Sequence, residues 1–261
     1  MKSISLNLYQ AQKSSIHSLD PRAKIIITVL VILSNALLTD GDWLAFGITW
    51  GMLLGTTCLA AIPLKFLLSR SLIVLPFAFA AITTIFSTSG TPLATLIYPP
   101  VTITAPGLTR FGSIMLRSWL SVQAAILLSA TTPFPDLIHA LRHLKIPSIL
   151  VSIISFMYRY LFVLAEEAKR LLRARSSRSA KLSHRKGGGS LAWNAKTSGS
   201  LVGQLFLRSL ERSERIYQAM QSRGFRGNLL TLNPHLMGIA DWLALVAALM
   251  VLSGIQACGR W

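Results

Sequence analysis

Long apolar runs alternate with short polar connections in the first half of the chain and return at its end. Four runs come early, at about 24–39, 43–62, 71–87 and 113–131, and a fifth lies at about 239–257. Each run is close to the roughly 20 residues that a helix needs to cross a bilayer. The pattern therefore predicts an all-α, polytopic membrane protein with about five membrane-spanning helices.

One connection between these runs is much longer than the others. Residues 88–112 are rich in Pro, Thr and Gly and contain a single charged residue, Arg110. Such a composition breaks helices and favours turns. We expect an extended loop there.

Basic residues collect on one side of this arrangement. Segments 1–24 and 63–70 contain six Lys and Arg residues and 132–238 contains seventeen, together 23 of the 26 in the chain. Cytoplasmic loops of membrane proteins carry such an excess. The rule predicts a cytoplasmic N-terminus, an external C-terminus and an external 88–112 loop.

A further apolar run, 148–164, is long enough to be considered as another span. A crossing there would place the fourteen Lys and Arg residues between 169 and 226 on the outer side, which the same charge rule disfavours. We therefore expect a helix that lies under the membrane or partly within it. The chain then divides into an N-terminal membrane region, 1–131, a cytoplasmic region, 132–238, and a C-terminal span, 239–261.

Composition and charge agree with this division. The chain is 52% hydrophobic and 13% charged, with a net charge of +17, which is typical of a membrane protein rather than a soluble domain. Proteins that bind single-stranded nucleic acid interleave aromatic and basic residues. Residues 165–215 contain only Trp193 and Phe206 as aromatics, so nucleic acid is not an expected partner. The lipid bilayer is an expected partner of the chain.

The cytoplasmic region is predicted to be helical and amphipathic. The stretch "PFPDLIHALRHLKIP" predicts a short helix that ends before Pro147. A long helix follows at about 148–178, and another spans about 201–222 after the Gly- and Ser-rich connection "SHRKGGGS". On the last helix, apolar residues recur at helical spacing, at Val202, Phe206, Leu210, Tyr217 and Met220.

Both long helices are predicted to end on an arginine between two small residues. The two ends are Ser177-Arg178-Ser179 and Ser222-Arg223-Gly224. Gly224 suits the left-handed conformation that ends many helices, and small neighbours let a partner's carboxylate reach the guanidinium fork. Basic residues at helix C-termini are also commonly just solvated, so the residues alone leave both interpretations open.

Enzyme chemistry is not predicted. The chain has nine acidic residues and no G-x-x-x-x-G-K-[ST] phosphate-binding loop, so neither catalysis nor a cofactor is expected. His139 and His143 are spaced i,i+4, as two metal ligands could be. Because Asp136 is the only nearby acid, a polar helix face is the preferred interpretation and no metal site is predicted.

Arg117, near the outer end of its span, is expected to reach the membrane interface.

Four stretches resemble a known family: "LDPRAKII" from Leu19, "PFPDLIHALRHLKIP" from Pro133, "FMYRYLFVLAEEAKRLLRARSSRS" from Phe156, and "AMQSRGFRG" from Ala219. In order and spacing they resemble the transmembrane T component of energy-coupling factor (ECF) transporters, in the cobalt and nickel branch of CbiQ-like proteins. The first stretch contains the family's N-terminal motif, here Asp20, Pro21 and Arg22. The residues alone assign these three to a helix start, with Asp20 as cap.

The resemblance implies a multi-pass scaffold in a bacterial or archaeal plasma membrane. Such a scaffold couples two cytoplasmic ABC ATPase subunits, which hydrolyse ATP, to a separate substrate-binding membrane (S) subunit. The family's paired X-Arg-Gly motifs dock on the ATPases, which assigns that role to the two arginine-centred ends. Ser179 stands where the family commonly has Gly, which leaves open whether Arg175 shares the role of Arg178.

The resemblance implies cobalt or nickel as the substrate, with metal recognition in the partner subunit. A T subunit of a vitamin importer is an alternative. A stand-alone secondary transporter is another alternative, although it would carry polar residues at span midpoints and broken helices in repeated halves. The five predicted spans show little of either.

Overall fold

A computed structural model describes residues 9, 10, 12, 14–88, 91–96, 101–178, 190–227 and 237–259. The chain forms two compact units. The first, which we call the membrane unit, comprises Met1–Leu144 and Pro234–Trp261, and the second, which we call the hairpin unit, comprises Lys145–Asn233.

The described residues are almost entirely helical. In chain order the elements are α1 (Pro21–Leu37), α2 (Trp43–Leu59), α3 (Leu64–Ser71), a 3₁₀ turn (Leu72–Val74), α4 (Leu75–Ser87), β1 (Pro92–Leu96), β2 (Val101–Thr104), α5 (Ala105–Thr131), α6 (Phe134–His143), α7 (Ser148–Arg178), α8 (Leu191–Ser222) and α9 (Ile239–Cys258). The prediction of an all-α, polytopic membrane protein is confirmed. One small addition is an antiparallel pairing of β1 with β2, inside the segment predicted to be an extended loop.

Four helical segments in the described part of the chain are long and apolar enough to cross a bilayer: Leu64–Ser87, Ala105–Thr131, Ser148–Arg178 and Ile239–Cys258. The first, second and fourth contain spans predicted from the sequence. The remaining two predicted spans form α1 and α2, each of 17 residues, at the short end of the range of about 17–25 for a spanning helix. Length and composition also admit Ser148–Arg178, so the cytoplasmic position of this helix stays a prediction from charge.

Helix α5 begins eight residues before the predicted run, at Ala105 instead of 113. Pro106 and Gly107, which helped to suggest a loop, occupy positions where a helix start tolerates them. Pro106 lies in the first turn, and the Thr104 side chain accepts a hydrogen bond from the Gly107 amide. A Cβ on Gly107 would lie 2.7 Å from the Ile85 carbonyl oxygen, so glycine here permits close packing of α5 on α4.

The membrane unit has an apolar core built by four helices, two consecutive ones near the start of the chain, one from its middle and the last one. Helices α1, α2, α5 and α9 contribute the buried residues Val31, Ala45, Phe46, Leu53, Leu120, Ala124, Leu252 and Ile255, and Leu38, next to the end of α1, completes the cluster. Helix α1 packs on both α5 and α9. The last helix of the chain is therefore an integral part of the N-terminal bundle.

The hairpin unit consists of α7 and α8, which run antiparallel. The Arg208 guanidinium of α8 forms an ion pair with the Glu167 carboxylate of α7 at 2.7 Å. Near the start of α7, the Ser152 hydroxyl donates to the Gly227 carbonyl, beyond the end of α8, at 3.3 Å. Helix α8 begins at Leu191, ten residues before the predicted 201, because Ser190 caps it by accepting from the Trp193 amide. Among the residues described in this unit, Val151 and Ser152 alone are buried.

Candidate functional site

The first arginine-centred end coincides with the C-terminus of α7. Arg178 is the last residue of the helix and its side chain is exposed. In the described part of the chain it makes no hydrogen bond or ion pair, and Ser177 turns its hydroxyl back to the Ala174 carbonyl at 3.0 Å. Ser179 lies outside the described residues. The guanidinium is thus available at a helix end where the dipole favours a cation.

The second arginine-centred end closes α8 with a Schellman motif. Gly224 adopts a φ of +81°, its amide donates to Gln221, and the Phe225 amide donates to the Met220 carbonyl at 3.0 Å. This is the left-handed ending that the sequence predicts. Arg223, just before this glycine, is exposed. The turn fixes its backbone, and its side chain makes no hydrogen bond or ion pair with the described residues.

Arg175, the residue that could share the role of Arg178, makes its side-chain contacts within the hairpin unit. Its guanidinium donates to the Ser198 hydroxyl at 2.9 Å and to the Asn194 side-chain oxygen at 3.0 Å. It also lies over the Trp193 ring, 5.9 Å from the centroid, within the range of a cation–π contact. Arg175 therefore ties the end of α7 to the start of α8, an interaction that the sequence analysis did not detect.

The antiparallel arrangement separates the two arginine-centred ends. Near Arg223, Phe225 packs edge-on against Phe156 in the first part of α7, with ring centroids 6.5 Å apart. Arg178 follows Phe156 by 22 residues of continuous helix, a distance of roughly 33 Å at 1.5 Å per residue. Two such ends cannot enter one pocket, but they can each engage a separate one.

The Asp20-Pro21-Arg22 motif lies in the membrane unit and does what the residues alone predict. The Asp20 carboxylate caps α1 by accepting from the Arg22 amide at 2.8 Å, with Pro21 as the first helical residue. Asp20 is also only 4% exposed, and the Arg22 Nε lies 3.8 Å from its Oδ1. The motif is therefore a buried helix start.

A second acid, Asp241, joins this motif to the last helix. Its Oδ1 accepts a hydrogen bond from the Asp20 amide at 2.7 Å and its Oδ2 accepts one from the Gly238 amide at 2.8 Å. One carboxylate, 6% exposed, thus connects the N-termini of α1 and α9. Sequence reasoning missed Asp241, although it is the only acid in 239–261 and a lone acid at the edge of an apolar run is a usable signal.

Lys24 completes the polar cluster at the start of α1. Its ammonium donates to the carbonyl oxygens of His17 at 3.1 Å and Thr131 at 3.4 Å, and the residue is 7% exposed. Because Thr131 is the last residue of α5, this contact joins α1 to α5. Buried charge at this end of the bundle is thus balanced by hydrogen bonds and nearby opposite charge.

The two histidines on α6 face each other, with ring centroids 4.9 Å apart. Partial desolvation of its ring, and then the nearby Arg22 and Arg142 guanidinium groups, lower the pKa of His143. These arginines also disfavour a metal cation there. No group of three or more metal-ligating side chains occurs within the described residues.

Arg117, the basic residue within a predicted span, reaches the connection between α1 and α2. Its guanidinium donates to the Asp40 carboxylate at 2.8 Å and to the Leu38 carbonyl. The sequence predicts that this side chain extends to the end of the span, and the structure adds Asp40 as its partner.

Comparison with known proteins gives a consistent set of relatives. The model of the CbiQ family, described as cobalt transport protein, matches residues 12–235. The energy-coupling factor transporter transmembrane protein EcfT of Ruminiclostridium cellulolyticum is 26% identical over 243 residues, which cover 87% of this chain and 86% of that protein.

Two further relatives match shorter stretches. The cobalt transport protein CbiQ of Salmonella typhimurium is 32% identical over 162 residues, or 59% of this chain and 69% of that protein. An uncharacterized protein of Methanocaldococcus jannaschii is 34% identical over 123 residues, or 47% of this chain and 42% of that protein.

Proposed function

The chain belongs to the CbiQ family of cobalt transport proteins, and from that premise we propose that it couples ATP hydrolysis in partner subunits to substrate uptake. It is the T component of an energy-coupling factor transporter, a multi-subunit assembly in the membrane. The family is a transport family and not a catalytic one. In the proposal, two cytoplasmic ABC ATPase subunits supply the energy and a membrane S subunit captures the substrate.

The observation that carries this proposal is the pair of arginine-centred helix ends. Arg178 and Arg223 are exposed, lie at opposite ends of the hairpin unit, and make no side-chain hydrogen bond or ion pair to the rest of the described chain. A guanidinium in this position can grip a carboxylate with two parallel hydrogen bonds. Each end is proposed to dock in a groove of a different ATPase subunit.

The contacts of Arg175 support Arg178 as the docking residue at the first end. Arg175 already donates hydrogen bonds to Ser198 and Asn194, and using it for docking would break the brace between α7 and α8. We assign Arg175 to the brace and Arg178 to the ATPase.

Motion is proposed to pass from the ATPases to the S subunit through the apolar faces of α7 and α8. When ATP closes the nucleotide-binding subunits, the two arginine-centred ends move with them. Large side chains on α8 remain exposed, including Val202 at 66% and Phe206 at 64%. Exposed apolar surface of this extent is typical of a protein interface.

Cobalt or nickel is the proposed substrate, because the matching family and the Salmonella relative carry cobalt transport in their names. Relatives named EcfT match a longer part of the chain. Their names state no substrate, and a T component that serves an S subunit for a vitamin is the second candidate.

Co-purification tests the coupling proposal. A tagged chain expressed with its ATPases and S subunit should retain both ATPases, whereas Arg178→Ala or Arg223→Ala should each reduce their recovery and the rate of uptake. The double variant should nearly abolish uptake of radiolabelled cobalt or nickel. Arg215→Ala is the matched control, since Arg215 is an exposed arginine of α8 outside both ends.

Full uptake by the double variant would remove the docking assignment. Retained ATPases with uptake of a vitamin, and no uptake of cobalt or nickel, would leave the coupling role intact and replace the proposed substrate.

A further inference from the structure

The two arginine-centred ends are held in place by different kinds of contact. Arg223 is fixed through its backbone, because the Phe225 amide donates to the Met220 carbonyl in the Schellman motif at Gly224. At the end of α7, a side chain three residues before Arg178 makes the contact instead. The last turn of a helix frays because its final carbonyl groups have no partner within the helix. Such an end needs a contact from outside the helix to keep one position.

Arg175, one turn before Arg178, provides this contact. Its guanidinium donates two hydrogen bonds to α8, from Nη1 to the Ser198 hydroxyl at 2.9 Å and from Nη2 to the Asn194 side-chain oxygen at 3.0 Å. The same group lies over the Trp193 ring. A planar guanidinium with several partners is fixed in both position and orientation. The contacts therefore hold the backbone of α7 within one turn of the docking arginine.

The partners of Arg175 belong to a regular part of α8. Asn194 and Ser198 are spaced i,i+4 and so lie next to each other on one face of the helix. The helix start is capped by Ser190, and the Asn194 amide donates to the Ser190 carbonyl at 3.0 Å. The two acceptors are thus presented by a capped helix, which gives the end of α7 an ordered support.

We propose that Arg175 is a positioning residue for the first ATPase contact and that it acts through Asn194 and Ser198. By holding the last turn of α7 against α8, these contacts set the position from which the Arg178 side chain reaches the ATPase. The inference rests on the proposed docking role of Arg178. It gives Asn194 and Ser198 a part in ATPase binding, although neither residue lies in an arginine-centred end.

Helix α8 then takes part in both ATPase contacts. Its first turns support the end of α7 through Arg175, and its last turn leads into Arg223. One continuous helix therefore connects the two docking points, by a side-chain contact at its start and by the backbone turn at its end.

Binding of the ATPases to the assembled membrane complex tests this role. The full chain with its S subunit is placed in lipid nanodiscs, and the dissociation constant for the purified ATPases is measured by biolayer interferometry. Asn194→Ala combined with Ser198→Ala, which we call the acceptor variant, removes both hydrogen-bond partners of Arg175. Alanine favours helix, so α8 should be retained. We expect binding about tenfold weaker, the scale of one lost hydrogen bond to a charged group.

Matched substitutions show whether the acceptors themselves matter. Ser200→Ala changes an exposed serine of α8 two residues beyond Ser198, and its hydroxyl is not one of the groups that accept from Arg175. Binding by this variant should equal that of wild type. Asn194→Asp keeps a side-chain oxygen that can accept from Arg175, so this conservative variant should also bind the ATPases as wild type does.

Removal of Arg178 separates positioning from a general effect on stability. In the Arg178→Ala chain the docking group is gone, so the acceptor variant should cause no further loss of affinity. A contact that only stabilised the hairpin unit would weaken binding by the same factor in both chains. Hydrogen exchange of 172–178 should also be faster in the acceptor variant, because the last turn of α7 loses its support.

Wild-type affinity of the acceptor variant, or an equal loss in the Arg178→Ala chain, would overturn the positioning role. Weaker binding by Arg175→Ala, together with wild-type binding by the acceptor variant, would show that Arg175 contacts the ATPase directly and would also overturn it. Unchanged affinity of Arg178→Ala would instead remove the docking role on which the inference rests.

Discussion

The two units of this chain differ in how they treat charged side chains, although both expose large apolar ones. In the membrane unit the charged residues Asp20, Lys24 and Asp241 are buried and take part in hydrogen bonds. In the hairpin unit Arg178 and Arg223, at the helix ends, are exposed and have no hydrogen-bond or ion-pair partner among the described residues. Buried charges that are hydrogen-bonded hold helices together, whereas exposed charges without a partner are available for binding.

The clasp formed by Asp241 should give the largest effect on stability. Asp241→Ala would leave the buried Asp20 amide without its acceptor, at a cost of about 1–3 kcal/mol, and would also remove the acceptor of the part-buried Gly238 amide. We expect a marked loss of stability, measured by chemical denaturation of the purified chain in detergent.

Asp241→Asn is the control, because its remaining side-chain oxygen can still accept one of the two hydrogen bonds. It should fall between wild type and Asp241→Ala. Equal stability of wild type and Asp241→Ala would show that the clasp contributes nothing.

A pair of glycine substitutions contrasts the packing of the two units. Gly107→Ala in α5 places a Cβ 2.7 Å from the Ile85 carbonyl and should destabilise the chain by about 1–3 kcal/mol. Gly203→Ala in α8 meets no atom within 4 Å and should stabilise it by up to about 1 kcal/mol through helix propensity. Thermal unfolding should therefore shift in opposite directions, and a shift of the same sign would contradict the contrast.

The helix ending at Gly224 is a smaller target in the hairpin unit. Gly224→Ala forces a side chain into a φ of +81°, at a cost of about 1 kcal/mol. Recovery of the ATPases should fall if the Schellman motif orients Arg223, and co-purification measures this. Gly199→Ala, in open space within α8, should leave recovery of the ATPases unchanged. Equal recovery by the two variants would show that the turn at Gly224 is not needed for docking.

The ion pair between Glu167 and Arg208 should matter least. Glu167→Gln would remove the negative charge opposite Arg208, whose side chain is 58% exposed while that of Glu167 is 18% exposed, and ion pairs at a protein surface contribute about 0–1 kcal/mol. We expect a change within this range that shrinks further at high salt, measured by denaturation at two ionic strengths. A loss above that range would mean that α7 and α8 depend on this contact.

Particular residues show where prediction from the sequence succeeded. The bounds of α7, predicted at about 148–178, coincide with the structure, because a long amphipathic period and a following basic segment are local signals. The left-handed Gly224 was also predicted, since a glycine after the last periodic residue is a local signal too.

The failures have two causes. Helix α5 starts at Ala105, where Thr104 caps it, and α8 starts at Leu191, where Ser190 caps it, so two caps were overlooked. Local composition suggested loops in both places. The Asp20–Asp241 and Arg175–Asn194 contacts join residues that are distant in sequence or on different helices. The spacing of apolar residues within one segment cannot predict such contacts.

The sequence by itself determined that this is a helical, multi-pass membrane protein and placed arginines at the ends of two long helices. The length of an apolar run, its flanking charges and the residues that end a helix are properties of contiguous segments, so they can be read without knowing which helices pack together. Only the tertiary structure decided that Asp241 hydrogen-bonds to the N-terminal motif and that Arg175 joins α7 to α8. Those outcomes depend on which helices pack together, because a buried hydrogen bond forms only when packing brings donor and acceptor within about 3 Å.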